Sequence, residues 1–317
     1  MFGLLVAGAL WGTPSAEAAE LRWNWDDSPK SYFIRADVRL NDDLYLLSRR
    51  NLETRANAFV LQLKTTCERT LTLRDGRRWE VECSFDQVSM VARPRRGDRE
   101  GVTARIMKEW QSDLEQYLFM RLVITQDGRL VQADLQGKQG RNPRTMAMRA
   151  TQREVLLRAF AGFEVPLPRG GTVEDGKAWI RYGVPQSQRF VSVFATAGMM
   201  ELYGQVRRIE DNVVIETQGL ALLNQQRLGS FQGEQVGAIL WDEEQGEIIQ
   251  RRYETYADPL PSNYLFQATP LMYGQSLTMT RVDPDEVLDL PESGETHPNA
   301  TDPQPSILRR APIEGRP

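Results

Sequence analysis

The stretch Thr65–Gln87, TTCERTLTLRDGRRWEVECSFDQ, has the pattern of two β-strands joined by a tight turn, and the interpretation of the rest of the chain starts from it. The turn contains Gly76, which can adopt the positive φ angle that a three-residue hairpin loop requires. A loop of that length pairs Leu73 with Arg77 and sets the register of the two strands. The stretch therefore predicts an antiparallel hairpin with a defined pairing.

The only two cysteines, Cys67 and Cys83, fall directly opposite each other in this register. Side chains alternate between the two faces of a strand, so the same register gathers apolar residues of both strands on the face that carries the cysteines. These residues are Phe59, Leu61, Leu63, Leu71, Leu73, Trp79, Val81 and Phe85. Side-chain parity and cysteine position thus both predict a hairpin with one buried face.

The N-terminal residues predict export. The apolar run Phe2–Trp11 is followed by Ala16-Glu17-Ala18, which has the A-x-A form of a signal-peptidase site. The run is too short to span a bilayer. The basic residues that usually precede such a run are absent, which leaves a merely apolar segment as the alternative. We expect residues 1–18 to be a signal peptide and the mature chain to be periplasmic or secreted, without a transmembrane span.

Export changes the interpretation of the cysteines. In an oxidising compartment, two cysteines that face each other across a hairpin form a disulfide more often than a redox or metal pair. On the chain-entropy model, closing a loop of this length stabilises the protein by roughly 3 kcal/mol. We predict a Cys67–Cys83 disulfide, with two buried free thiols as the alternative.

Two segments before this hairpin also have the alternating pattern of strands. They are Leu21–Trp25, which places two tryptophans on one face, and Tyr32–Leu40, whose apolar residues recur at every second position. Both segments predict strands with one buried face.

The hairpin pattern recurs along the chain. Turn-forming residues at 126–129, 210–212 and 242–246 each join two runs of alternating apolar residues. Four hairpins in sequence predict a mainly β protein, in which an antiparallel meander forms a curved sheet, an open barrel or a sandwich. We assign residues 19–282 to this β-rich region, as one domain or as two β subdomains divided near 164–172.

One amphipathic helix is expected among the strands, over Thr145–Phe163. Its apolar stripe consists of Met148, Gln152, Val155, Leu156, Ala159, Phe160 and Phe163. Such a helix packs across an open face of the sheet or one mouth of a barrel, where it plugs the core or lines a ligand cavity. Helical spacing from Ile106 to Tyr117 indicates a second, shorter helix.

The composition changes past Val282. Seven of the 35 residues in 283–317 are prolines, and the segment carries eight carboxylates against three arginines. We expect this acidic, proline-rich tail to be disordered.

The charge distribution argues against nucleic-acid binding. Residues 283–317 have a net charge of -5, whereas the whole chain has a net charge of -4. The rest of the chain is therefore near +1. The one basic loop, Arg93–Arg99, lacks the interleaved aromatic residues that single-strand binding uses. We therefore expect no nucleic-acid partner.

The residue inventory excludes several kinds of active site. The only histidine, His297, lies in the tail, which removes serine and cysteine nucleophiles that depend on histidine, as well as the ordinary zinc sites. Two-carboxylate glycan hydrolysis remains open. The candidate acids are Glu80, Glu82, Asp242, Glu243 and Glu244. All fall at outward strand positions or in turns, where solubilising charge is the simpler interpretation. We expect no catalytic, cofactor-binding or metal-binding residues.

An apolar group of residues near the middle of the chain could form the wall of a ligand site, although core packing is the more frequent role of such residues. The group is Phe190, Val193, Phe194, Met199, Met200 and Tyr203. Glycines at 229, 233 and 237 follow at four-residue spacing, which in strands allows a long sheet to curl.

Pro166-Leu167-Pro168 precedes Val173-Glu174-Asp175-Gly176-Lys177-Ala178-Trp179. With this prolyl link and V-x-x-G-x-x-W step between two sets of hairpins, the chain resembles secreted bacterial β-rich families without an assigned function. The resemblance covers roughly 21–282 and implies a cell-envelope protein without known catalytic residues.

These observations together predict an exported, non-catalytic β protein. We expect it to bind an apolar ligand such as a lipid, or an envelope partner, in the concave face of its curved sheet. The alternatives are a structural or assembly component of the bacterial envelope, whose tail reaches a protein partner, and a carboxylate-dependent glycan hydrolase.

Overall fold

The structure, a computed structural model, describes residues 18–40, 56–73, 75–94, 100–138, 156, 159–165, 167–183, 197–209, 212–225, 229–259 and 273–293. In chain order the elements are β1 (Ala18–Glu20), β2 (Lys30–Leu40), β3 (Ala56–Thr72), β4 (Arg78–Pro94), α1 (Glu100–Tyr117), β5 (Leu118–Thr125), β6 (Leu130–Gly137), a 3₁₀ helix (Ala161–Phe163), β7 (Thr172–Glu174), β8 (Ala178–Gly183), β9 (Ala197–Ile209), β10 (Asn212–Gln225), β11 (Gly229–Asp242), β12 (Glu247–Pro259) and β13 (Tyr273–Val282).

Eleven strands form one antiparallel sheet in the order β6-β5-β4-β3-β2-β13-β12-β11-β10-β9-β8. The chain enters in the middle of the sheet at β2 and moves outward to β6. It then re-enters at the opposite edge as β8 and returns to β13, which pairs with β2. Among the described strands β6 and β8 are not paired with each other, so the sheet is not closed into a barrel. The predicted mainly β meander with a curved sheet is confirmed.

The cysteine hairpin has the predicted register around the cysteines and a different one at its turn. Cys67 lies opposite Cys83, as expected. The Leu73 amide, however, donates to the carbonyl oxygen of Arg78 at 2.9 Å, so the loop has four residues and the predicted three-residue loop is wrong. Gly76 has the expected positive φ, 64°.

One bulge reconciles this turn with the cysteine pairing. In β3 the pairing shifts between Arg69 and Leu71, which reverses the parity of the last residues of the strand. Leu71 was predicted on the buried face and is instead 51% exposed, because it lies after this bulge. A second shift between Lys64 and Thr65 lets Val88 and Met90 continue the buried series of β4.

The segment Leu21–Trp25 is extended but does not pair as a strand of the sheet. Its alternation is as predicted, with Leu21, Trp23 and Trp25 fully buried. Its backbone amides donate instead to turns that belong to different hairpins: Trp23 to Gln126 O at 2.9 Å and Asn24 to Gly246 O at 2.8 Å. The segment thus spans the end of the sheet at which these turns lie, which we call the turn end; the opposite end is the far end.

The two helices differ from the sequence expectation in how many residues are helical. The helix α1 extends the predicted shorter helix toward its N-terminus and buries Met107, Trp110 and Leu114 in the core. It lies beside β4, where the Glu115 carboxylate accepts the Val88 amide at 3.0 Å. Of the predicted helix 145–163, residues 156, 159 and 160 are helical and 161–163 form the 3₁₀ helix. The other residues of that prediction lie outside the described part of the chain.

Disorder was predicted from residue 283, yet residues 283–293 are described and packed against the sheet. We call this segment the strap. It runs from the end of β13 over the outer side of β3 and β4, where the Lys64 ammonium donates to the carbonyl oxygens of Pro284, at 2.5 Å, and Glu286. Composition alone did not reveal these contacts, because the strap is held through its backbone carbonyl and amide groups. Residues 294–317 lie outside the described part.

The predicted signal peptide falls almost entirely outside the described residues, which begin at Ala18. Ala18 pairs with Glu174 and Ala19 with Val173, so β1 and β7 form a small second sheet. Within the described part of the chain, no helix is long and apolar enough to cross a membrane.

Candidate functional site

One face of the sheet carries a continuous apolar core, and we call it the inner face. It includes Cys67 and Cys83, whose sulfur atoms form the disulfide and are fully buried. The remaining members from the sheet include Tyr32, Ile34, Ala36, Leu61, Leu63, Val81, Met120, Leu122, Val206, Val213, Ile215, Ile239, Trp241, Ile248, Leu277 and Met279. Every second residue contributes, as the strand period requires.

Aromatic rings fill the inner face at the turn end. Trp23 stacks on Trp25 with ring centroids 5.9 Å apart and lies 5.5 Å from Trp241. Phe163 of the 3₁₀ helix meets the Tyr32 ring edge-on at 5.2 Å. The side chains of Leu21–Trp25 and of the 3₁₀ helix therefore fill this part of the inner face. We call these two segments the plug.

A buried ion network lies beside these rings. Glu247 is 1% exposed and forms an ion pair with the Lys30 ammonium, 2.6 Å from one carboxylate oxygen, and a second ion pair with Arg281 through the other. These residues begin β2 and β12 and end β13, so the network joins the two halves of the meander where they meet. Breaking such a pair leaves a buried charge without compensation, at a cost of roughly 3–5 kcal/mol.

Four buried polar atoms near this network have no hydrogen-bond partner among the described residues. They are the indole nitrogens of Trp23, Trp25 and Trp241 and the hydroxyl of Tyr32. Burial, with a smaller contribution from Glu247, raises the pKa of Tyr32 well above its ordinary value. The Tyr32 phenol is therefore held protonated.

A second buried cation holds the 3₁₀ helix against the sheet. Arg251, on the inner face of β12, donates to the carbonyl oxygens of Gly162, at 2.6 Å, and Glu164. Its guanidinium also lies 5.0 Å from the Tyr253 ring centroid. Burial lowers the pKa of Arg251, although these carbonyl and ring contacts solvate the charge.

Hydrophobic periodicity alone does not predict these charged residues, although the sequence contains a signal for them. Lys30 shares the parity of Tyr32 and Ile34, Arg251 that of Tyr253, and Arg281 that of Leu277 and Met279. A charged residue at an inward strand position requires a buried partner. That conflict with the alternating pattern could have marked all three residues.

The acids considered for glycan hydrolysis have structural contacts. Glu80 and Glu82 bond the same guanidinium, that of Arg121, at 3.2 and 2.9 Å. In the β11–β12 turn, the Glu243 carboxylate accepts the Glu20 amide at 2.6 Å and Asp242 accepts the Gln245 amide at 2.9 Å. Glu244 is exposed.

Among the described residues, no group of histidine, cysteine, aspartate and glutamate could hold a metal ion. His297 and the apolar residues 190–194 lie outside the described part of the chain. Met199, Met200 and Tyr203 lie in β9. The structure thus tests only the strand positions of the predicted ligand wall.

The apolar parity of the inner-face series continues toward the far end. In β10 the buried series runs through Val213, Ile215, Thr217 and Gly219. The strand and its pairing continue toward the far end, where residues of the same parity are again apolar. Across the neighbouring strands these positions are Met200, Leu202, Ala221, Leu223, Phe231 and Gly233.

No protein-family model matches the chain, and no curated protein matches it. Among solved structures, one described as lipid–protein interactions in lipovitellin matches with a TM-score of 0.45 and 9% identity. That match covers 84% of this chain, which spans only about a quarter of the other chain's length, 26%.

Proposed function

We propose that this protein is an exported, non-catalytic β protein that binds an apolar ligand, such as a lipid acyl chain, on the far-end half of its inner face. One observation carries the proposal. In β9 to β11, apolar residues of inner-face parity continue along the strands toward the far end, whereas the described plug lies at the turn end.

The lengths involved suit a lipid-sized ligand. The strand β10 has 14 residues. Beyond Gly219 the strand continues through residues 220–225, or roughly 20 Å at the rise of an antiparallel strand.

The non-catalytic part of the proposal rests on the chemistry of the candidate groups. Glu80 and Glu82 both pair with one arginine, Arg121, and Asp242 and Glu243 hold a turn in place. A glycosidase needs one carboxyl group that can donate a proton and a second that is free to attack or to activate water. The Cys67–Cys83 disulfide supports the proposed periplasmic or secreted location, because such bonds persist in oxidising compartments.

Adjacent leucines of opposite parity provide a matched test. Leu223 has the parity of Val213 and Ile215, and Leu222 has the opposite parity. We expect L223R to abolish binding of a fluorescent fatty acid, because an arginine would be placed in the apolar series. The same substitution at its neighbour, L222R, should leave the binding within about twofold of the unsubstituted protein.

Mass spectrometry under native conditions supplies the second readout. Gently purified protein should carry a lipid-sized mass that organic extraction removes and added fatty acid restores. Absence of both the co-purified mass and fatty-acid binding, with the protein folded, would contradict the proposal. Equal loss of binding in L222R and L223R would contradict the assignment to the inner face.

The alternative function, an envelope structural or assembly component with a partner-binding tail, is favoured by one observation. The strap fixes the chain as far as Ser293, so residues 294–317 begin at a defined place beside β4. A chain that ends at Ser293 keeps the strap and removes only that part. Loss of cross-linked envelope partners in this variant would support the alternative, and an unchanged set of partners would contradict it.

A further inference from the structure

A pocket of about 450 Å³ lies at the turn end, on the other side of Leu21–Trp25 from the far-end half of the sheet. Four chain segments form it: the start of Leu21–Trp25, the β3–β4 turn, the β5–β6 turn and the loop before β7. Its charged lining residues are Arg22, Asp75, Arg77, Arg78, Asp127 and Arg169. None of these residues takes part in the proposed apolar site.

Backbone hydrogen bonds tie the four segments together. The Leu21 amide donates to Gly171 O at 2.6 Å, and the Trp23 amide donates to Gln126 O at 2.9 Å. The Gln126 amide in turn donates to Arg77 O at 2.8 Å. The walls are therefore positioned by main-chain contacts that do not involve the side chains facing the pocket. A site held in this way loses little conformational entropy when a ligand binds.

The loop before β7 packs closely against one of the arginines. Gly171 has a φ of 74°, and a Cβ atom at this position would lie 2.4 Å from Arg22 Nε. Only glycine allows the backbone to approach the guanidinium group so closely. Arg22 is thereby held along the loop, with Glu20 as its acid partner at 3.4 Å.

Positive charge exceeds negative charge in the lining, with four arginines against two aspartates. Asp75 accepts the Arg77 amide at 3.1 Å and Arg78 Nε at 2.6 Å, and these bonds lower its pKa. Asp127 pairs with Arg129, at 3.4 Å, which does not line the pocket. Among the described residues, the Arg77 and Arg169 side chains have no carboxylate partner.

We propose that this pocket binds an oxyanion, a phosphoryl or carboxylate group carried by a small organic molecule. Guanidinium groups match both kinds of oxyanion with paired, charge-assisted hydrogen bonds, and two of them here lack an anion. The pocket has the size of a small-molecule site and exceeds what an inorganic ion needs. The group could belong to a soluble molecule or to the head of a lipid, and both would present the same oxygens.

The first experiment titrates the full chain with glycerol 3-phosphate by calorimetry at low ionic strength. We expect saturable binding that weakens about tenfold or more in R77Q and again in R169Q, because each removes one charge-assisted contact. The control R105Q removes an arginine on the surface of α1, where Glu109 is its partner at 3.7 Å, and should bind within twofold of the unsubstituted chain. Binding should also weaken as salt rises.

The second experiment distinguishes the sources of the group. Sedimentation with phosphatidylglycerol vesicles, compared with phosphatidylcholine vesicles, tests a lipid head group, with the same variants. Binding to anionic vesicles that R77Q and R169Q abolish assigns the site to a head group, and binding of glycerol 3-phosphate alone assigns it to a soluble ligand. Absence of both, or binding that is equal in R77Q, R169Q and R105Q, overturns the proposal. The test does not depend on fatty-acid binding, so it can fail or succeed separately from the proposed function.

Discussion

At the scale of single residues, two hairpin glycines with the same backbone conformation differ in their surroundings. Gly76 and Gly128 have φ angles of 64° and 80°. A Cβ atom at Gly76 would meet nothing within 4 Å, whereas one at Gly128 would lie 2.2 Å from Val165 O. The Val165 amide also donates to Gly128 O at 2.8 Å, so this turn is packed against the segment after the 3₁₀ helix.

This difference yields a matched pair of substitutions. G76A should lower the free energy of unfolding by about 1–2 kcal/mol, the cost of the left-handed conformation alone. G128A adds a clash with Val165 and should cost about 3 kcal/mol or more. Urea unfolding of both variants measures the two losses. Equal losses would mean that the contact at Gly128 is not tight.

The buried Tyr32 hydroxyl predicts a dependence on pH. Burial, with a contribution from the charge of Glu247, raises the pKa of Tyr32 in the folded protein above the ordinary tyrosine value of 10.0. As the pH rises, Tyr32 therefore ionises in the unfolded chain before it ionises in the folded protein. The contribution of the neutral phenol to stability is complete below about pH 10 and is lost above it. Y32F should remove this part of the alkaline destabilisation, as measured by unfolding free energies between pH 8 and 11. An unchanged alkaline slope in Y32F would contradict the assignment.

At the scale of elements, β3 and β4 show how far a pattern determines a strand. Strand identity, antiparallel pairing and the cysteine partners follow from alternation, because a half-buried strand repeats every two residues. The two bulges do not follow from it. A bulge inserts one residue and reverses the parity, and here the positions of these insertions depend on the turn beyond Leu73 and on the neighbours of β4.

The strap packs against the sheet, although its acidic, proline-rich composition predicts disorder. Gln87 donates to Leu288 O at 3.2 Å and accepts the Leu288 amide at 2.9 Å, much as a strand backbone would. Ser89 donates to Pro291 O at 2.5 Å. An acidic, proline-rich segment can be ordered when the surface beneath it supplies donors to its carbonyl groups.

Truncation tests the strap. A chain that ends at Val282 loses the two carbonyl groups that accept from the Lys64 ammonium and leaves that ammonium open to water. It also loses the strap's other hydrogen bonds to β4. We expect this variant to lose about 2–4 kcal/mol of unfolding free energy, because each such hydrogen bond contributes about 0.5–1.5 kcal/mol net. A chain that ends at Ser293 keeps these contacts and should match the full length. Equal melting temperatures for both truncations would show that the strap does not stabilise the sheet.

At the scale of the whole molecule, two half-meanders meet only along β2 and β13 within the sheet. Other contacts also cross between them. The Lys30–Glu247–Arg281 network lies at this junction, and Leu21–Trp25 bonds turns of both halves. The predicted division into two β subdomains near 164–172 stays a prediction.

Cooperativity can be measured through the disulfide. Reduction of Cys67–Cys83 relaxes only β3 and β4, and it should lower stability by roughly 3 kcal/mol. If the halves unfold together, the denaturation midpoints from tryptophan fluorescence and from far-ultraviolet circular dichroism should shift by the same amount. Separate midpoints after reduction would show that the halves unfold independently.

Local periodicity and the residue inventory predict the class of the fold, the cysteine pairing and the absence of histidine from residues 18–282. Both can be read along one chain. The strand order, the strap, the buried ion network and the arginine pocket are seen only in the folded molecule. Each of these depends on which distant segments meet, and contacts between residues far apart in the chain leave no periodic signal.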